Sequence, residues 1–250
     1  MSQYVQRIVT RGFETDARLR VSIGMLARYF EHVRWEGIRD RGAGLGVIFR
    51  DGGKMVLRAQ AVRVLRPLVA RETLDLALSV GRVGRSSIHF VQVAKVGDEV
   101  VARNDTVAVA LDASGRPSEV PDAVRARVGG EPVEPLARIP DAPDTFAFRC
   151  DVQVRPTDLD ALQHVNHSRY IDYVDDVYTH ARAAGAYGGE PSRSPAAITI
   201  EYERETRIDA LGPARVLAAR TWRATDDALA FELLDPLDGV RVARAMIRPE

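Results

Sequence analysis

Apolar positions along this chain follow two rhythms that alternate in a fixed order. Tyr170, Tyr173, Val174, Val177, Tyr178, Ala181 and Ala184 recur at three- and four-residue spacing, which places them on one buried stripe of a helix. Gly185, Gly188 and Gly189 end that pattern. Before it, residues 146–154 read as a strand, and after it 197–207, 214–224, 229–234 and 240–247 read as strands separated by turn residues. The first half has the same grammar. Residues 3–10 form a leading strand, and Ile23, Leu26, Phe30, Val33 and Gly37 draw one face of a helix that begins near Ser22. Strand-like runs follow at 57–64, 72–81, 87–96 and 99–111. Each half is therefore expected to hold a long helix followed by a four-strand antiparallel meander wrapped around it, an α+β architecture.

The halves also match residue by residue. At an offset of 144, Arg11 falls on Arg155, Asp16 on Asp160, Ala17 on Ala161, Val21 on Val165, Tyr29 on Tyr173 and Arg63 on Arg207. After a three-residue adjustment, Phe90-Val91 and Ala102-Arg103 fall opposite Phe231-Glu232 and Ala243-Arg244. Duplication accounts for this conserved order, and it has a physical use, since two similar units can cover each other's sheet edges and apolar surface. The expected division is a first unit at 1–112, a linker at 113–144 rich in Pro, Gly, Ala and charge, and a second unit at 145–250. Within the linker, 121–128 reads as a short helix.

Composition narrows the functional classes. The chain has 250 residues, 46% of them hydrophobic, enough for a real core without a disulfide or metal clip. Lys plus Arg and Asp plus Glu number 35 each, so no overall field draws the protein to nucleic acid or an anionic membrane. No run approaches about 18 consecutive apolar residues, which argues against membrane insertion. The single cysteine, Cys150, has no intrachain partner and the first residues lack a signal-peptide core, so the expected compartment is the cytoplasm.

The densest chemistry lies between the leading strand and helix of the second half. Asp158, Asp160, His164 and Asn166 all fall in that connection, where polar groups gather beside the free amides of a helix start. Each also has a structural reading. Asp158 suits a turn or cap, Asp160 a catalytic carboxylate or a cap, His164 substrate positioning or packing, and Asn166 the helix N-cap. Tyr170 and Tyr173 read as core or pocket wall. Gly42-Ala43-Gly44-Leu45-Gly46 lacks the Lys and Ser/Thr of a phosphate loop and reads as a turn. The five His residues are not at zinc-ligand spacing, no metal is expected, and no Gly-x-Ser-x-Gly elbow is present.

The segment TDLDALQHVNHSRYIDYVDD, residues 157–176, resembles the hotdog-superfamily acyl-CoA thioesterases of the 4-hydroxybenzoyl-CoA thioesterase-like branch. The duplicated layout resembles the double-hotdog acyl-ACP thioesterases over nearly the whole chain. The resemblance implies a tandem double hotdog and hydrolysis of an acyl-CoA thioester to a free acid and coenzyme A, with an acyl-ACP thioesterase or a non-catalytic acyl-thioester binding protein as alternatives. It implies no cofactor beyond the coenzyme A or phosphopantetheine of the substrate. The family position of the catalytic acid falls on Asp160, acting as general base or nucleophile, with His164 and Asn166 beside it and amides at 166–169 receiving the oxyanion. The family's usual Gly is Gln163 here. His167, Tyr170, Asp175 and Arg20 are candidates for substrate contact. In the first half His164 and Asn166 are replaced by Arg20 and Ser22, which implies a catalytically altered copy, and pseudo-dimeric chains of this kind are compatible with a homo-oligomer.

Overall fold

The computed structural model describes residues 3–40, 44–160, 162–187, 194–211 and 214–249. They divide into two compact units, Met1–Leu136 and Ala137–Glu250.

In the first unit, β1 (Tyr4–Val9) leads to α1 (Ile23–Arg39), then β2 (Lys54–Val64), β3 (Thr73–Val83), β4 (Ser87–Val96), β5 (Glu99–Leu111) and the one-turn helix α2 (Asp122–Arg125). The five strands are antiparallel in the order β1-β3-β4-β5-β2. Ser22 caps α1 by accepting from the amide of Met25 at 3.2 Å, and the helix buries Leu26, Phe30 and Val33 completely. Along β3, Leu74, Leu76, Leu78 and Val80 alternate onto the buried face.

The second unit repeats the plan with β6 (Phe148–Gln153), α3 (His167–Ala183), β7 (Pro195–Tyr202), β8 (Val216–Thr225), β9 (Ala228–Leu234) and β10 (Arg241–Pro249). Its order is β6-β8-β9-β10-β7, again antiparallel. Asn166 caps α3, and Gly185 at φ 76 ends it by bonding its amide to Arg182 O. Gly188 and Gly189, the other expected stops, lie outside the described residues. So do Gly42 and Ala43; Gly44 at φ 67 leads into a short helical turn at Leu45–Gly52.

Three expectations need correction. The four-strand meander is a three-strand one, because β2 pairs with β5 on the far side of the sheet and β3 is flanked instead by β1. Leaving β2, the amides of Leu65 and Arg66 both bond Val101 O, and leaving β7 those of Glu203 and Arg204 both bond Val242 O. These shared bonds set the correspondence of the copies: β2 matches β7 at an offset of 138 and β5 matches β10 at 141. Arg63 therefore answers to Glu201, not Arg207. Ala102-Arg103 does answer to Ala243-Arg244, and through the ladders Phe90 answers to Leu229, not Phe231.

The third correction concerns the linker. Residues 113–136 pack on the first unit, with Val120 and Val124 buried, and Gly129 bonds Val80 O at 2.9 Å. Gly130 at φ 90 lies so close to Ser79 that a Cβ would meet its side chain at 2.9 Å. Residues 137–146 pack on the second unit, where Ile139 joins Trp222, Ala228, Ala230 and Met246 with Ala137, Ala142 and Phe146 against them. A Pro-rich, polar composition hides these few apolar anchors.

Candidate active site

The connection before each long helix is built twice from the same bonds. In the second unit Asp158 is buried, accepts from the amide of Arg155 at 2.9 Å and from the hydroxyl of Tyr173 at 2.8 Å. In the first unit Glu14 takes that place, accepting from the amide of Arg11 and the hydroxyl of Tyr29. Asp160 Oδ1 accepts from the amides of Leu162 at 2.8 Å and His164 at 3.3 Å; Asp16 Oδ1 accepts from Arg18 at 2.8 Å and Arg20 at 3.1 Å. The backbone bond Asp160 N to His164 O, 2.9 Å, has its copy in Asp16 N to Arg20 O, 2.8 Å. Even the left-handed residue is shared, at φ 63 for Gln163 and 62 for Leu19. Gln163 therefore keeps the turn that Gly would make more easily.

Against this common scaffold the differences stand out. His164 is half-buried, and its Nδ1 lies 3.2 Å from Oε2 of Glu205 in the segment just after β7. In a neutral ring that carboxylate holds the proton on Nδ1 and leaves the lone pair on Nε2. In the first unit Arg20 replaces the histidine. The shared bonds Val165 N to Thr206 O and Val21 N to Leu68 O then align Glu205 with Pro67, so the carboxylate is missing as well. Glu205 is hidden in the sequence because 197–207 reads as one strand-like run; the strand ends at Tyr202 and Glu205 lies in the connection after it.

The other candidates fall around this cluster. Asn166 accepts from both the amide and hydroxyl of Ser168, at 2.8 and 2.7 Å, so any contact with a substrate is by donation from Nδ2. Tyr170 is buried and donates to Thr206 Oγ1 at 2.7 Å, and burial pushes its phenol up to about 12. Burial, then the bond to Asp158, also pushes Tyr173 upward. These tyrosines, with Tyr202 5.8 Å from Tyr170 between ring centres, form a wall beneath the loop. His167 opens α3, with its ring edge-on to Tyr202 at 6.0 Å and its carbonyl accepting from the Tyr202 hydroxyl at 3.1 Å. Asp175 lies two turns along α3, half-buried and away from the loop in sequence. Arg20 belongs to the first unit's copy of the loop, at the histidine position.

Of the expected run of oxyanion amides at 166–169, three are already engaged within the loop and helix start. The amide of Asn166 bonds Asp158 O, that of Ser168 bonds the Asn166 side chain, and that of Arg169 bonds Asn166 O. The capping that starts the helix uses these donors up. Among the described residues no group of three His, Cys, Asp or Glu side chains is arranged to hold a metal, and no helix is long and apolar enough to cross a membrane.

Fold and loop together define the class: a tandem double hotdog, one long helix against an antiparallel sheet in each half. Residues 12–128 match the family model of the thioesterase-like superfamily, and residues 142–248 match that of the acyl-ACP thioesterase C-terminal domain. With both halves so matched, the chain belongs to the hotdog thioesterase-like superfamily. No curated protein matches the sequence. Among solved structures, an acyl-ACP thioesterase from Bacteroides thetaiotaomicron aligns with TM-score 0.84 at 17% identity, covering 100% of both chains. A 12:0-ACP thioesterase from Umbellularia californica aligns with TM-score 0.80 at 19% identity, covering 99% of this chain and 98% of that one. At these identities the likeness is one of fold.

Proposed function

We propose that the protein hydrolyses an acyl thioester at the Asp160 loop, releasing a carboxylic acid and a free thiol. The observation that carries this reading is the cluster of Asp160, His164 and Glu205 inside the segment that matches an acyl-ACP thioesterase domain. Two amides hold Asp160 Oδ1, which leaves Oδ2 as the oxygen to meet water or the thioester carbonyl. Glu205 orients His164 so that Nε2 faces outward to take or return a proton. Asn166 Nδ2 supplies a donor to the carbonyl oxygen. Asp160 acts either on water or directly on the carbonyl carbon, and turnover in 18O-labelled water separates the two, since only direct attack places label in the Asp160 side chain.

The carrier we favour is acyl carrier protein over coenzyme A. The match of residues 142–248 and the full-length likeness to two acyl-ACP thioesterases support that choice. Thiol release from acyl-ACP and acyl-CoA of matched chain lengths tests it. Faster release is expected from acyl-ACP, lost in Asp160→Asn and kept in Asp16→Asn. Asn retains the oxygen that accepts both loop amides, so the loop keeps its shape while the carboxylate is lost. Equal loss in the two variants would sink the one-site assignment. Saturable binding with no release from any thioester would make the chain an acyl-thioester binding protein instead.

A further inference from the structure

The inner face of the first unit's sheet carries a set of polar side chains that the second unit does without. Gln60, Gln92, Asn104 and Thr106 project from β2, β4 and β5, and each is 0–1% exposed. Some of their bonds are made internally. Gln92 Nε2 donates to Phe30 O of α1 at 2.6 Å, and Asn104 Nδ2 donates to Gln92 Oε1 at 3.0 Å and Thr106 Oγ1 at 2.9 Å. Two ends are left over. Gln60 Nε2, a donor, and Asn104 Oδ1, an acceptor, are buried with no hydrogen-bond partner. Gln60 pairs with Thr106 across the ladder and Asn104 with Val62, so the two amides are diagonal neighbours on one face.

Buried amide groups without partners are costly, and native proteins rarely keep them without a use. The duplication supplies an internal control for whether the fold itself requires them. By the correspondence of the copies, Gln60 answers to Ile198, Asn104 to Ala245, Thr106 to Ile247 and Gln92 to Phe231. All four counterparts are apolar and at most 1% exposed. At these four positions the second unit's sheet face closes over the same kind of helix with apolar side chains, so the polar set is not demanded by the architecture.

We propose that Gln60 and Asn104 form a subsite for the hydroxyl group of an aliphatic ligand. A hydroxyl oxygen accepts from Gln60 Nε2 while its hydrogen is donated to Asn104 Oδ1, which satisfies both orphans at once. A ketone oxygen serves only the first, and a methylene serves neither. The rest of the ligand is apolar, because the residues flanking the amides in the same ladder rows are Phe90 and Val62, both fully buried.

Equilibrium dialysis of the full chain against a mid-chain hydroxylated fatty acid and the unsubstituted acid of the same length tests the proposal. The hydroxy acid is expected to bind about tenfold more tightly, the return from one well-made buried hydrogen-bonded group. In Gln60→Leu that preference disappears, and the ligand-free variant melts at the same or higher temperature, because an unpaired buried donor has gone while Asn104 keeps its bonds to Gln92 and Thr106. Equal binding of the two acids by the parent, or tighter binding of the unsubstituted one, overturns the proposal. So does a large fall in the melting temperature of the variant, which would mean that a permanently bound water completes the cluster. Measuring binding, not turnover, keeps the result separate from the thioesterase reading.

Discussion

His164 turns Nδ1 to Oε2 of Glu205 at 3.2 Å, across a gap of 41 residues in sequence between loop and strand end. That contact fixes which ring nitrogen carries the proton. Glu205→Gln keeps the size and removes the charge, so the ring loses its fixed orientation. A fall of roughly 10–100-fold in kcat with little change in KM is expected, by analogy with the carboxylates that orient metal-binding histidines. Steady-state kinetics on an acyl thioester check it, and an unchanged kcat would remove Glu205 from the site.

Gln163 sits in the left-handed region at φ 63, and Leu19 does so at φ 62 in the other copy. A non-glycine residue there costs about 1–2 kcal/mol, against roughly 0.5–1 kcal/mol of extra chain entropy for glycine. Gln163→Gly and Leu19→Gly should each stabilise the protein by about 0.5–1 kcal/mol in urea denaturation. A loss of stability at either position would mean that its side chain makes a contact outweighing the backbone strain.

Much of this loop was legible in the sequence, because the 144-residue offset runs unbroken from Arg11 and Arg155 through the turn and along both helices. Both helix starts and the role of Asp158 as a turn residue followed from side-chain chemistry next to an apolar stripe. Glu205 did not follow. Thr199 to Tyr202 alternate like a strand, and the polar run Glu203 to Arg207 that follows reads as the strand's continuation although pairing stops at Tyr202. The same limit hid the pairing of β2 with β5. Period-two patterning tells which face of a strand is buried and not which strand lies beside it. Connections of different length then shift the offset to 138 and 141, and matches made at a single offset, such as Arg63 with Arg207, fail.

Tyr170 offers a test through alkaline pH. Its phenol titrates near 10 when unfolded, and burial pushes it up to about 12 in the native protein. Below pH 10 both states keep the proton, so the contribution is fully present. Between pH 10 and 12 the unfolded chain loses the proton while the native protein holds it, and stability falls by about 1.4 kcal/mol per pH unit for this group. Tyr173 and Tyr29 are shifted in the same direction and add to the fall. Tyr170→Phe should therefore be about 1 kcal/mol less stable at pH 7, from the lost bond to Thr206, and should show a shallower decline above pH 10. Denaturation curves at pH 7, 10 and 11 decide it; an unaltered slope would mean that Tyr170 ionises in the native protein as it does in the unfolded chain.

The first unit's copy of the loop gives the sharpest test of what the Asp160 loop needs. Asp16 is held as Asp160 is, yet Arg20 stands in place of His164 and Pro67 in place of Glu205. In an Asp160→Asn background, Arg20→His alone restores the imidazole but not the carboxylate that sets its tautomer. Thiol release is expected to stay at background in that variant and to rise above it, while remaining below the parent, only when Pro67→Glu is added. Recovery with Arg20→His alone would show that the scaffold of Asp16 and a histidine suffices, and the assignment of Glu205 as the orienting partner would then fall, because the loop itself would be supplying the orientation.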